Sequence, residues 1–126
     1  MIQDKHVVIT GGAGFIGSGL AERICGDNRV TLFDNLHRDA VGGSGLLDHP
    51  NVELVKGDVL VAEQLAPVIR EADIVVHMAS IAGVDTVMKN PTLTMRVSLI
   101  GTINALQAAY DGGRCERFID FSTSEV

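Results

Sequence analysis

The chain has 126 residues, 46% apolar and 21% charged, a balance that excludes a disordered or fibrous protein and fits one compact domain. A net charge of −6 carried by scattered acidic residues gives no electrostatic footprint for nucleic acid or an anionic lipid surface. No apolar run approaches the roughly 20 residues that span a bilayer.

The first residues lead into a strand, Lys5 to Thr10, rather than a signal peptide, so the cytoplasm is the expected compartment. Cys25 and Cys115 lack metal-ligand spacing, and His6, His37, His49 and His77 are not grouped with them. Both cysteines therefore read as reduced thiols, and no metal site is expected.

After that strand comes Thr10-Gly11-Gly12-Ala13-Gly14-Phe15-Ile16-Gly17, leading into a helix expected over Gly14 to Cys25. The spacing Gly11-x-x-Gly14-x-x-Gly17 suits a strand-to-helix turn. Its first glycine allows the tight turn, the second lets backbone approach a pyrophosphate, and the third lets helix pack on sheet. Free N–H groups and the positive end of the helix dipole then face phosphates, so this segment predicts dinucleotide binding.

The second strand, Arg29 to Asp34, ends in a carboxylate suited to accepting both adenosine-ribose hydroxyls. A unit charge there repels a 2′-phosphate by about 4 kcal/mol at 4 Å and an effective dielectric near 20, before screening. NAD is expected over NADP, with Arg38 read as a solvated loop residue. Residues 35–50, rich in Gly, Ser, Asp and His, read as a long loop or a weak short helix.

A third strand, Val52 to Lys56, precedes Gly57-Asp58-Val59, where the chain passes the expected adenine edge. Asp58 suits either the exocyclic amine or the cap of a helix over Val61 to Arg70. The fourth strand, Asp73 to His77, ends in a histidine read as buried and hydrogen-bonded. Asp85 and Lys89 read as loop charges before a helix spanning Pro91 to Tyr110, apolar around more than one stripe. The fifth strand runs from Arg117 to Phe121. Alternating strands and helices predict an α/β fold: a Rossmann-type doubly wound parallel sheet in the order 3-2-1-4-5.

Thr10 to Ser18, Asp34-Asn35-Leu36, Gly57-Asp58-Val59, His77-Met78-Ala79-Ser80, Asn90-Pro91, Gly101-Thr102 and Ser122-Thr123-Ser124-Glu125-Val126 occur together in one order. That order resembles the extended short-chain dehydrogenase/reductases, the NAD-dependent nucleotide-sugar epimerases, dehydratases and decarboxylases, along the whole chain. The resemblance implies an enzyme that holds NAD and transiently oxidises a sugar C4 hydroxyl. It implies pyrophosphate contacts from Phe15 and Ile16 beside Gly11, Gly14 and Gly17, and cofactor contacts from Asp34, Asn35, Ala79 and Ser80, with adenine between Asp58 and Val59. Thr123 would hydrogen-bond the C4 hydroxyl, and Ser124 and Glu125 fall where dehydratases carry an acid/base pair. Glu125 is equally a carboxylate for a following helix N-terminus.

Thr123-Ser124-Glu125-Val126 looks most like UDP-glucuronate decarboxylases, whereas Ala82-Gly83-Val84 looks more like 4-epimerases. The partners implied are a nucleotide-sugar substrate, with a UDP-sugar foremost, and a second copy joined through the 91–110 helix. Gly19 replaces a common His of the family and suggests close packing; Ser98 replaces a common Asn. The only tyrosine, Tyr110, is followed at the fourth position by Arg114, so the family's Tyr-x-x-x-Lys is missing from these residues. Residues 1–126 are therefore expected to be the N-terminal NAD-binding part of a longer enzyme and inactive alone. Three functions stand at this point: a UDP-glucuronate decarboxylase, a nucleotide-sugar 4-epimerase or 4,6-dehydratase, and a stand-alone NAD-binding module without catalysis.

Overall fold

A computed structural model describes residues 1–123. Five parallel strands form one sheet: β1 (His6–Thr10), β2 (Arg29–Asp34), β3 (Val52–Lys56), β4 (Ile74–His77) and β5 (Arg117–Asp120), in the order β3-β2-β1-β4-β5. The expected strand order holds, and the strands differ from expectation only at their ends. Register aligns Thr10 with Phe33 and His77, Asp34 with Lys56, and His77 with Asp120, so the carboxyl ends of all strands share one edge.

Both faces of the sheet are covered, which is why its central strands are almost continuously apolar. Val7, Ile9, Val30, Leu32, Ile74 and Val76 pack on one face with Ala21 of α1 (Phe15–Ile24) and with Val41 and Leu46 of the 35–50 loop. Val8, Phe33 and Val75 pack on the other with Leu65 and Ile69 of α2 (Ala62–Ile69) and Ala105, Ala108 and Ala109 of α5 (Thr102–Gly112). Each fully buried Val, Leu, Ile or Phe contributes roughly 1.5–3 kcal/mol. Within the 35–50 stretch the only regular piece among the described residues is a 3₁₀ turn, Leu46–Asp48.

The expected helix over 91–110 is present as one helical run, α4 (Pro91–Arg96), a π turn (Val97–Gly101) and α5, with Arg96, Val97, Gly101 and Thr102 all in the right-handed helical region. The unexpected feature is the π turn inside it. Gly101 brings this π turn against Val59, where a Cβ would meet Val59 Cγ2 at 2.8 Å. The loop expected around Asp85 and Lys89 is instead helix α3 (Val84–Lys89). It stops at Asn90 because the following Pro91 pushes that residue out of the helical region, to φ −134 and ψ 56. Gly19 was expected to serve close packing, yet a Cβ there would meet nothing within 4 Å. β5, at the sheet edge, is mostly exposed, with only Phe118 half-buried.

Candidate cofactor site at the carboxyl edge of the sheet

The glycines after β1 are fixed by contacts that a side chain would break. Gly11 has φ +69, and a Cβ on it would come within 3.0 Å of Ala79 N. A Cβ on Gly17 would lie 2.7 Å from Gly12 Cα, so this glycine sets how closely α1 approaches the turn. At Gly14 only Gly11 O would be near, at 3.2 Å, which leaves the helix entrance open. Gly14 is the N-cap of α1 and offers no side-chain cap. The Phe15 and Ile16 N–H groups of the first turn thus need an external acceptor, while both side chains are exposed.

Asp34, half-buried at the end of β2, clamps this turn. Its Oδ2 accepts from Ala13 N at 3.0 Å and its Oδ1 from Leu36 N at 2.8 Å. The second bond holds Leu36 at φ 63, a left-handed conformation that a bulky residue rarely adopts. A carboxylate has roughly four lone-pair directions, so Asp34 retains capacity for ribose hydroxyls. Asn35 is exposed, and its Oδ1 accepts from His37 N at 3.0 Å. Farther along the same loop, Ala40 N donates to Ala13 O at 2.7 Å, tying the loop to the glycine turn.

From the other side, the residues after β4 close on the turn through a buried polar chain. Thr10 Oγ1 accepts from Met78 N at 3.1 Å and Ala79 N at 3.2 Å, so its proton points to His77 Nδ1, 2.7 Å away. The ring proton then sits on Nε2, facing Thr102 Oγ1 at 3.1 Å, and that hydroxyl donates to Ser98 O of the π turn at 2.7 Å. Burial holds His77 below its ordinary pKa of 6.5, and the Asp120 carboxylate opposes that shift more weakly. The expectation of a buried, hydrogen-bonded histidine holds. Ala79 is half-buried against Gly11, and Ser80 is exposed beside it.

Asp58 does not cap α2. Its Oδ1 accepts from Leu60 N at 2.8 Å, while its own N–H donates to Gln64 Oε1 at 2.9 Å and Val61 is the N-cap. Val59 is buried and its carbonyl accepts from Asn104 Nδ2 at 2.8 Å. Asp34 ends β2, and Gly11, Gly14, Gly17, Asp58 and Ala79 follow strands at this same carboxyl edge, the side on which ligands bind in open α/β sheets. Thr123 is exposed beyond β5, whereas Ser124 and Glu125 lie outside the described residues.

Tyr110 is exposed on α5, far along the chain from any lysine partner. Neither Leu36's conformation nor the links from His77 to Thr10 and Thr102 was anticipated; the Asp-x-Leu spacing was the only sequence signal for the first. A cavity of about 630 Å³ lies elsewhere, at the amino edge among Asp4, Lys5, Arg29, Asp73 and Arg114, and contains no glycine-turn residue. Among the described residues no cluster of His, Cys, Asp or Glu could hold a metal ion, and no helix is long and apolar enough to cross a membrane.

Residues 8–126 match the GDP-mannose 4,6 dehydratase family. UDP-glucuronic acid decarboxylase 1 of Danio rerio is 37% identical over 124 residues, covering 97% of this chain and 28% of the relative. The solved UDP-N-acetylglucosamine 4-epimerase of Methanobrevibacter ruminantium M1 superposes with a TM-score of 0.88 at 29% identity, covering 98% of this chain and 39% of that one. WbmH of Bordetella bronchiseptica, solved in complex with NAD+, superposes at 0.79 with 32% identity, over 97% of this chain and 40% of that one. The chain thus spans well under half the length of each of these three proteins. Its family match, sheet order and glycine turn agree: the chain belongs to the GDP-mannose 4,6 dehydratase family of extended short-chain dehydrogenase/reductases.

Proposed function

We propose that this chain is the NAD-binding portion of a nucleotide-sugar-modifying enzyme, and that the enzyme decarboxylates UDP-glucuronate. The observation that carries the cofactor reading is the uncapped first turn of α1 behind glycines that admit no side chain. NAD is the cofactor. Bound there, it would take hydride from the sugar C4 carbon as the hydroxyl is oxidised and return it to C4 afterwards, so that it ends unchanged.

The chain's own residues do the rest. Phe15 and Ile16 N–H groups hold the diphosphate, and Asp34, with Asn35 beside it, receives the adenosine ribose. Asp58 and Val59 flank adenine, and Ala79 and Ser80 line the cofactor. Thr123 orients the C4 hydroxyl, and Glu125 beside Ser124 moves a proton near C5. A uronic acid oxidised at C4 is a β-keto acid and loses carbon dioxide readily. The decarboxylase reading is supported by the Thr123-Ser124-Glu125-Val126 segment and the 37% identical relative. Epimerisation at C4 is the second reading, favoured by Ala82-Gly83-Val84 and the 4-epimerase neighbour.

In this proposal the chain by itself binds NAD without turnover, because these residues contain no Tyr-x-x-x-Lys. Leu99, Ile103, Leu106 and Tyr110, exposed along the π turn and α5, face a second copy of the protein. Free Cys25 and Cys115 agree with a cytoplasmic setting. The test is product analysis by NMR of a protein carrying this chain together with a Tyr-x-x-x-Lys segment, supplied with UDP-glucuronate or with UDP-hexoses. A UDP-pentose with carbon dioxide is the expected result; inversion of a UDP-hexose at C4 with UDP-glucuronate untouched replaces the first reading by the second.

A further inference from the structure

Arg38 follows β2, and Gly83 follows β4, on opposite sides of β1 in the sheet. Yet Arg38 Nη2 lies against Gly83, 3.3 Å from where its Cβ would be. A side chain joining those loops must pass the carboxyl end of β1, where the glycine turn sits. The backbone beneath it is held there by the bond from Ala40 N to Ala13 O. Gly83 at φ +99 presents no side chain to obstruct the guanidinium.

Arg38 takes part in none of the ion pairs among the described residues, which join Lys5 to Glu116, Arg29 to Glu53 and Arg114 to Asp73. The first turn of α1 contains no acidic residue to neutralise it. An exposed planar guanidinium with five N–H donors therefore lies on the carboxyl side of the sheet, the side on which the glycine turn presents backbone donors for an anion.

We propose that Arg38 is a cationic strap for the dinucleotide, closing on its diphosphate from the side facing the α1 N-terminus. The proposal rests on the reading that the glycine turn holds NAD, and it replaces the expectation that Arg38 is only a solvated loop residue. Its guanidinium lies toward β4, whereas Asp34 marks the adenosine-ribose end at β2. The strap therefore addresses the middle of the dinucleotide rather than a 2′-phosphate.

The test is titration calorimetry of the purified protein and its Arg38→Gln and Arg38→Lys variants with NAD, NADP, ADP-ribose and adenosine, at low and high salt. Arg38→Gln is expected to weaken NAD and ADP-ribose about tenfold and to reduce their salt dependence, as loss of a charge-assisted contact does, with adenosine unchanged. Arg38→Lys recovers part of the loss, retaining charge without the fork. Unchanged NAD and ADP-ribose affinity in Arg38→Gln overturns the strap while leaving the glycine-turn reading intact. An equal loss with adenosine, or a loss confined to NADP, also overturns it. Wild-type protein that binds neither NAD nor ADP-ribose overturns the glycine-turn reading itself, and the strap with it.

Discussion

Thr10 Oγ1 and His77 Nδ1 stand 2.7 Å apart beneath the candidate cofactor site, joining adjacent strands through a neutral imidazole. Because the Thr10 hydroxyl also accepts from Met78 and Ala79 N–H, protonation of His77 sets two donors against each other. Replacing His77 with Phe leaves Thr10 and Thr102 without their ring partner and is expected to cost roughly 1–3 kcal/mol in urea unfolding.

The same ring sets a pH dependence. His77 is held below 6.5 in the folded chain, so below that pH the unfolded chain takes up protons first. The stability it contributes is complete above pH 6.5 and declines as pH falls from 6.5 through the folded-state value. Unfolding curves across this window are expected to show a slope in the wild type that is reduced in His77→Phe; equal slopes refute the assignment.

Gly17 and Gly19 sit on the same helix with opposite expectations. Ala at Gly17 drives a Cβ to 2.7 Å from Gly12 Cα, so backbone must move. We expect a stability loss of roughly 1–3 kcal/mol and at least a tenfold weaker NAD titration. Ala at Gly19 enters open space and gains about 0.5–1 kcal/mol of helix propensity, with NAD affinity unchanged.

Asp34 combines charge and scaffold. Asp34→Asn removes the charge and keeps only one of the two acceptor oxygens, so one of the bonds from Ala13 N and Leu36 N is lost as well, and the preference for NAD over NADP should shrink in paired titrations. Asp34→Ala removes the bonds to both Ala13 N and Leu36 N. The turn then loosens at a cost of roughly 1–3 kcal/mol, read by thermal unfolding, and NAD binding weakens as well.

At the opposite edge of the sheet, Asp73 Oδ2 accepts from His6 N at 2.8 Å and Oδ1 from Arg114 at 3.2 Å. The backbone bond, followed by the Arg114 contact, holds its carboxyl below the ordinary 3.8 despite the opposing effect of desolvation. Its contribution is present above pH 3.8 and disappears as pH falls through the lower folded value. Acid titration followed by circular dichroism should show a shallower acid limb in Asp73→Asn than in the wild type.

Strand order, the glycine turn and the placement of Asp34 were legible in the sequence because they depend on local period and backbone freedom. Apolar runs mark strands covered on both faces, and Gly11 and Gly17 are needed where a Cβ would meet backbone. The helix over 91–110 was legible too, with Pro91 marking its start, but α3 and the π turn inside that helix were not: they depend on Gly83, on Gly101 packing against Val59, and on Thr102 bonding Ser98. Tertiary structure alone decided that Thr10, His77 and Thr102 form one chain and that Arg38 reaches Gly83. Such contacts join residues distant in sequence, and their geometry follows from parallel register and the crossing of loops at one sheet edge, which no local pattern encodes.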